Sequence, residues 1–146
     1  KALRAIWQDL DTRRFFAFCA EADIAVQHIL YDAAEVARFG ALRAEGVIPA
    51  GQPQVLHVLG RYTPGQVSSP DDLAEPLGQQ TACGLAPDWA VCAFGPAETA
   101  CLLAAVAQGG KARIGFENNL LMRDGSLARD NAARVAEFRS LLQGTR

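Results

Sequence analysis

Apolar positions along this chain switch repeatedly between two periods. Short β-rich runs occur at Ile24–Tyr31, Gln54–Leu59, Trp89–Phe94 and Ala112–Phe116. Between them the apolar residues recur every three or four positions, the spacing of one helix face. Each run is followed by a helix-opening signal. Asp32-Ala33-Ala34-Glu35 reads as an N-cap with its reciprocal glutamate, and that helix runs to about Glu45 and stops at Gly46. Gly60–Ser68 is a polar loop, after which Ser69-Pro70-Asp71-Asp72 opens a helix with a capping serine, an early proline and first-turn acids. Gly95-Pro96-Ala97-Glu98 opens the next, which ends at Gly109-Gly110. A last helix carries Ala128, Ala132, Val135, Phe138 and Leu142 on one face, and about Asp11–Ala22 predicts one more amphipathic helix.

Strand followed by helix, four times over, implies parallel pairing through right-handed crossovers, hence the α/β class. Four such units make either a small open sheet or half of a (β/α)8 TIM barrel, which needs about 250 residues when complete. The stretch Lys111–Leu120 bears on that choice. Read as a buried strand, it places Ala112, Ile114 and Phe116 on one face and Arg113, Gly115 and Glu117 on the other. A structural strand in an α/β core is apolar on both faces, and burying these charges costs desolvation energy. The pattern therefore favours a barrel interior with a site at the strand end. An extended chain sets Arg113 and Glu117 about 13 Å apart, too far to pair.

Composition narrows the function. The 146 residues are 50% hydrophobic and 21% charged with a net charge of -2, and no basic run exists, so neither nucleic acid nor a membrane surface is an expected partner. No apolar run reaches the roughly 18 residues of a membrane span, and no signal peptide opens the chain. Cys19, Cys83, Cys92 and Cys101 form no CxxC pair and read as reduced, mostly buried thiols of a cytoplasmic protein. The chain begins at Lys1 with sequence that looks mid-domain, the expectation for a processed or truncated product. His28 and His57 lie mid-strand without metal-ligand spacing, which favours hydrogen-bonded core roles. Cys92 and Cys101 lack a visible activating base. No GxGxxG or P-loop supports a nucleotide site. Glu98 and Ser126 read as first-turn helix residues, and Asn118 and Asn119 as loop caps or ligand contacts.

The run Arg113-Ile-Gly-Phe-Glu117-Asn-Asn-Leu120 resembles the last-strand motif of the β-keto acid cleavage enzymes, whose founding activity is 3-keto-5-aminohexanoate cleavage. Supporting matches are Ile29-Leu-Tyr-Asp32 at a strand end, Val58-Leu-Gly60 followed by Ser69-Pro-Asp-Asp-Leu73, and Gly95 placed 14 residues before Gly109. Together they cover roughly residues 15 to 143. The resemblance implies a (β/α)8 barrel of which this chain, a single domain over residues 1–146, supplies about the last four units. It implies a divalent metal, usually zinc, and acetyl-CoA as co-substrate. The reaction converts a β-keto acid plus acetyl-CoA to acetoacetate plus a new acyl-CoA. By match Glu117 is a metal ligand, and Arg113 and Asn118 belong to the catalytic machinery. A homo-oligomer is implied as well.

Departures from the family pattern lie alongside these matches. No His-x-His pair, the family's other metal ligands, occurs in the chain. The family's acidic strand positions fall on Gln27 and Ile29, Pro96-Ala97 replaces a common Arg-His, and Asn118 stands where many members have aspartate. An alternative function is therefore a catalytically degenerate barrel that binds a small molecule or acts as a scaffold. A self-contained four-stranded α/β domain of another family is a third reading, favoured if the strands are not consecutive parallel neighbours.

Overall fold

The computed structural model describes residues 2–51 and 53–144, with side chains from residue 11 onward. Helix α1 spans Ala2–Glu21, starting well before the predicted Asp11. Strand β1 (Gln27–Leu30) leads into α2 (Ala33–Ala44), and β2 (Gln54–Leu59) into a 3-10 turn at Pro70–Leu73 and then α3 (Ala74–Ala82). Strand β3 (Asp88–Ala93) precedes α4 (Glu98–Ala107), and β4 (Lys111–Ala112) precedes α5 (Asn131–Gln143). The predicted helix starts form as the residues dictate. The Asp32 side chain accepts from the Glu35 N–H at the head of α2. Ser69 and Asp72 close a reciprocal capping box ahead of α3.

The strands lie in the order β1-β2-β3-β4, every neighbouring pair parallel. Consecutive parallel neighbours without a reversal are what successive βα units of a barrel produce, and they remove the observation that would have favoured an unrelated α/β domain. The two faces of the sheet differ in kind. On one, Leu59, Val91 and Ala93 pack with Leu73, Cys101, Leu102 and Phe138 from the helices, while Leu30 and Val55 pack with Val36 and Phe39 of α2. Full burial of side chains such as Leu73 and Leu102 contributes about 1.5–3 kcal/mol each. On the other face, Leu56, Val58, Cys92 and Phe94 form a cluster to which only strand and strand-end residues contribute. Ile29 on this face is 48% exposed.

Two expectations need correction here. The fourth strand does not extend to Phe116. Ladder pairing covers Lys111 and Ala112, and one further bond runs from the Arg113 N–H to the Val91 carbonyl. The chain then turns, with Asn118 N–H bonded back to Gly115 O and Phe116 N–H held by the Asn131 side chain. The last helix begins at Asn131, capped by Asp130, so Ala128 and Ser126 precede it. Ser126 sits instead in a tight turn closed by Asp124. The four cysteines are free thiols, three buried and Cys83 half-buried, as expected.

Trp89 lies at the centre of the helix-covered face and fixes two neighbours. A Cβ on Gly110 would meet its ring carbons at 2.4–2.7 Å. A rigid indole cannot yield at that distance, so only glycine lets β4 start there. Gly110→Ala is expected to cost about 1–3 kcal/mol, read as a lowered urea midpoint with an unchanged m-value.

His57, 1% exposed, stands edge-on to the same indole, and its Nε2 pairs with Gln80 Oε1 at 3.1 Å. This bears out the core reading. Burial holds its pKa below the usual 6.5, outweighing the Gln80 bond. The unfolded chain therefore binds the proton more readily than the folded one. The stability His57 contributes is complete above about pH 6.5 and falls as the pH drops toward its folded pKa. His28, half-buried between Phe16 and Phe39, shifts the same way and adds to the slope. Urea titrations between pH 7.5 and 5 should show a flatter acid loss in His57→Leu, by at most about 1.4 kcal/mol per pH unit.

Candidate active site at the carboxyl ends of the strands

The helix-free face opens at the carboxyl ends of the strands into a cavity of about 70 Å³. The first three strands and the segment after the fourth contribute to its wall. Ile29 and Tyr31 come from β1 and its end, Val58 and Arg61 from β2 and the loop beyond. Cys92 and Phe94 come from β3 and its end, and Arg113, Glu117 and Asn118 from the segment after β4. Parallel α/β sheets place their chemistry at this end because the loops there carry variable side chains on a fixed frame.

The structure places Arg113, Glu117 and Asn118 together, but in a different geometry from the one the pattern predicts. The turn at Gly115 folds the segment back, and Arg113 Nη2 donates to Glu117 Oε2 at 2.6 Å. The predicted separation of about 13 Å assumed an extended strand, which ends earlier. Nor are these charges buried, because the side chains are 47% and 66% exposed. A pair this open contributes at most about 1 kcal/mol and exchanges readily for other partners.

Asn118 and Asn119 divide their duties. The Asn119 side chain both donates to and accepts from the backbone of Leu121, which is the expected loop cap. Asn118 is buried, its backbone carbonyl accepts from the Gly95 N–H, and its side-chain Oδ1 has no partner. Beside it, burial pushes the Cys92 thiol up, against the opposing pull of Arg113. Cys92 is therefore a protonated wall residue at neutral pH and not a nucleophile.

The loops around the mouth are tied to one another. Thr63 Oγ1 donates to the β2–α3 loop's own backbone and accepts from the Val67 N–H. Ser68 Oγ reaches across to the Phe94 carbonyl at 2.7 Å. Gly95, at φ +90°, lets the β3–α4 loop approach so closely that a Cβ would sit 2.7 Å from Gln66 O. Arg61 is thereby held over the Phe94 ring, 5.1 Å from its centroid, and Tyr62 lies against Tyr31.

One functional contact was not legible in the pattern. Glu98, read as an ordinary first-turn acid, is 0% exposed and forms an ion pair with Arg134 of α5, itself 3% exposed. Arg134 also donates to the carbonyls of Gly115 and Asn119. The pair thus clamps the segment that presents Glu117 and Asn118. Burial pushes the Glu98 carboxyl up, while Arg134, Asn119 and Gly115 pull it back. The available sequence signal was a lone acid heading a helix whose other residues are apolar except for Thr99, Glu98–Ala107. Removing one partner strands a buried charge, so Glu98→Ala should lower the unfolding free energy by about 3–5 kcal/mol in urea titration. Replacing both residues with leucine and methionine should recover most of that loss.

Metal fit can be judged from the donor set. Zinc takes three or four protein ligands. Among the described residues no three His, Cys, Asp or Glu side chains converge. Glu117 can therefore be one ligand, and the described residues alone do not complete a zinc site. Among them, too, no helix is long and apolar enough to cross a membrane. No curated protein matches the chain. With the Arg113–Glu117 segment at the carboxyl end of an all-parallel sheet, and with the family model for beta-keto acid cleavage enzymes matching residues 6–145, the chain belongs to the beta-keto acid cleavage enzyme family.

Proposed function

We propose that these residues form the last four βα units of a (β/α)8 barrel that converts a β-keto acid and acetyl-CoA to acetoacetate and a new acyl-CoA. The observation that carries the reading is the Arg113–Glu117 pair, brought to the cavity by the turn that follows β4. Arg113 makes a single contact with Glu117 out of five guanidinium donors. The remaining donors suit the carboxylate of a β-keto acid or the oxygen on which enolate charge develops. Asn118, whose Oδ1 is buried and unpartnered, presents an amide that orients a ligand by hydrogen bonds. Glu117 would supply one ligand to a zinc ion whose other ligands lie outside the described residues. Such an ion, when bound, polarises a keto oxygen as a Lewis acid. The reading carries with it a cytoplasmic homo-oligomer.

A degenerate, ligand-binding barrel remains the second reading, and Asn118 specifically favours it. A carboxamide cannot take up a proton as the more usual aspartate would. Acetoacetate formation from acetyl-CoA and a panel of β-keto acids discriminates the two. Turnover is expected when these residues are assayed together with a first barrel half that carries the His pair, falling by about 100-fold or more in Glu117→Ala and in Arg113→Met. Absent turnover, with binding of β-keto acids intact, establishes the binding role instead. Zinc content measured on the same preparations should fall in Glu117→Ala.

A further inference from the structure

The direction in which Glu117 points is not set by its own side chain. Among the described residues Arg113 alone bonds its carboxylate, and both side chains are open to solvent. An exposed pair of this kind is weak and exchanges readily. The backbone around Glu117 is held more firmly, and from one side. Phe116 N–H donates to the Asn131 side chain at 2.9 Å, and Arg134 Nη1 reaches the carbonyls of Asn119, at 2.5 Å, and Gly115, at 3.4 Å. Gly115 and Asn119 stand two residues before and two residues after Glu117. Asn131 and Arg134 lie three positions apart in α5 and share one face of it. Arg134 is itself aimed by Glu98. A guanidinium is a planar fork, so fixing Nη2 on the buried carboxylate leaves Nη1 facing the turn.

We infer that Glu98 and Arg134 are positioning residues: through the two carbonyls that bracket Glu117 they fix how it and Asn118 face the cavity. The inference rests on the reading of those two as site residues and extends it to a pair outside the cavity wall. Stability alone does not call for such a pair, because apolar side chains of similar volume pack as well as a buried ion pair. What leucine and methionine lack is any donor for the carbonyls of Gly115 and Asn119. Those carbonyls would then turn toward solvent, and the segment between them would lose its single arrangement. A reacting group displaced by about 1 Å lowers a rate by about 100-fold, so a loosened turn reaches the chemistry even with the core intact.

Native-state hydrogen exchange on the full chain separates this role from a merely structural one. The reporters are the amides of Asn118, bonded to Gly115 O, and of Gly95, bonded to Asn118 O. The amides of β2, paired on both sides, report the sheet. In Glu98→Leu with Arg134→Met the urea midpoint should stay near that of the wild type. Exchange at Asn118 and Gly95 should quicken about tenfold or more, while β2 keeps its rates within about twofold. Glu98→Gln gives the converse. Its carboxamide oxygen still accepts from Nη2, so the two turn amides should hold within about threefold although the urea midpoint falls. Turn protection that simply follows the urea midpoint in both variants, or that is unchanged in the apolar pair, overturns the inference. Should the apolar pair fail to fold, Glu98→Gln decides alone, and a tenfold loosening of its turn amides refutes the role. A turnover arm separates the inference from the reading beneath it. Assayed with a first barrel half that carries the His pair, the apolar pair should lower kcat about 30-fold or more and leave KM for acetyl-CoA within about threefold. Unchanged kcat in a variant whose turn has loosened overturns the inference. Absent wild-type turnover, with the exchange pattern as expected, overturns the acyl-transfer reading and leaves the positioning of the turn standing.

Discussion

Burying a carboxylate without a partner costs several kcal/mol, and burying a guanidinium costs a comparable amount. Glu98 and Arg134 meet that requirement in each other, and the geometry of the candidate site follows from the way they do so. Glu98 heads α4, directly after the loop that carries Gly95. Arg134 sits in the first part of α5 and spends its remaining donors on the carbonyls of Gly115 and Asn119. A strand end, a turn and two helices are thereby held at one point. The turn is short and polar and has no apolar core of its own, so this fixed point does what packing does elsewhere. An apolar pair could fill the same volume, but it could not accept or donate the bonds that shape the turn.

The asymmetry of the sheet completes the picture. One face is covered by helices and buried to the extent expected of a core. The other holds a smaller apolar cluster built from strand and strand-end residues, with Ile29 half in the open. Four consecutive parallel strands with helices packed on one face are compatible with the barrel arc proposed above. The edges at β1 and β4 fit the same description, since in a barrel each would pair with a further strand.

Much of this was legible in the residues. Helix starts at Asp32 and Ser69 follow from side chains that satisfy their own backbone, a local matter that sequence expresses directly. The span Gln54–Leu59 is apolar enough to be central, and it is. The fourth strand failed for a physical reason. Arg113 to Glu117 alternates like a strand, yet Gly115 and the Asn131 side chain turn the chain out of the sheet, and Asn131 acts from 15 residues away. The Glu98–Arg134 pair spans 36 positions, and periodicity carries no information about partners so far apart. The candidate residues Glu117, Arg113 and Asn118 stand out through a motif that resembles the family's, and their mutual geometry became visible only in the folded chain.

The loops at the mouth of the cavity are linked in series. Ser68 holds the carbonyl of Phe94, Gly95 donates to Asn118, and Asn118 and Asn119 share a turn with the charged pair. Such a linkage constrains how the family member can diversify. Inserting or deleting a residue in any one of these loops would displace the next, and the error would propagate to Glu117. New specificities are therefore more accessible through exchange of side chains on a preserved backbone, at positions such as Ile29, Tyr62 and Arg61, than through changes in loop length.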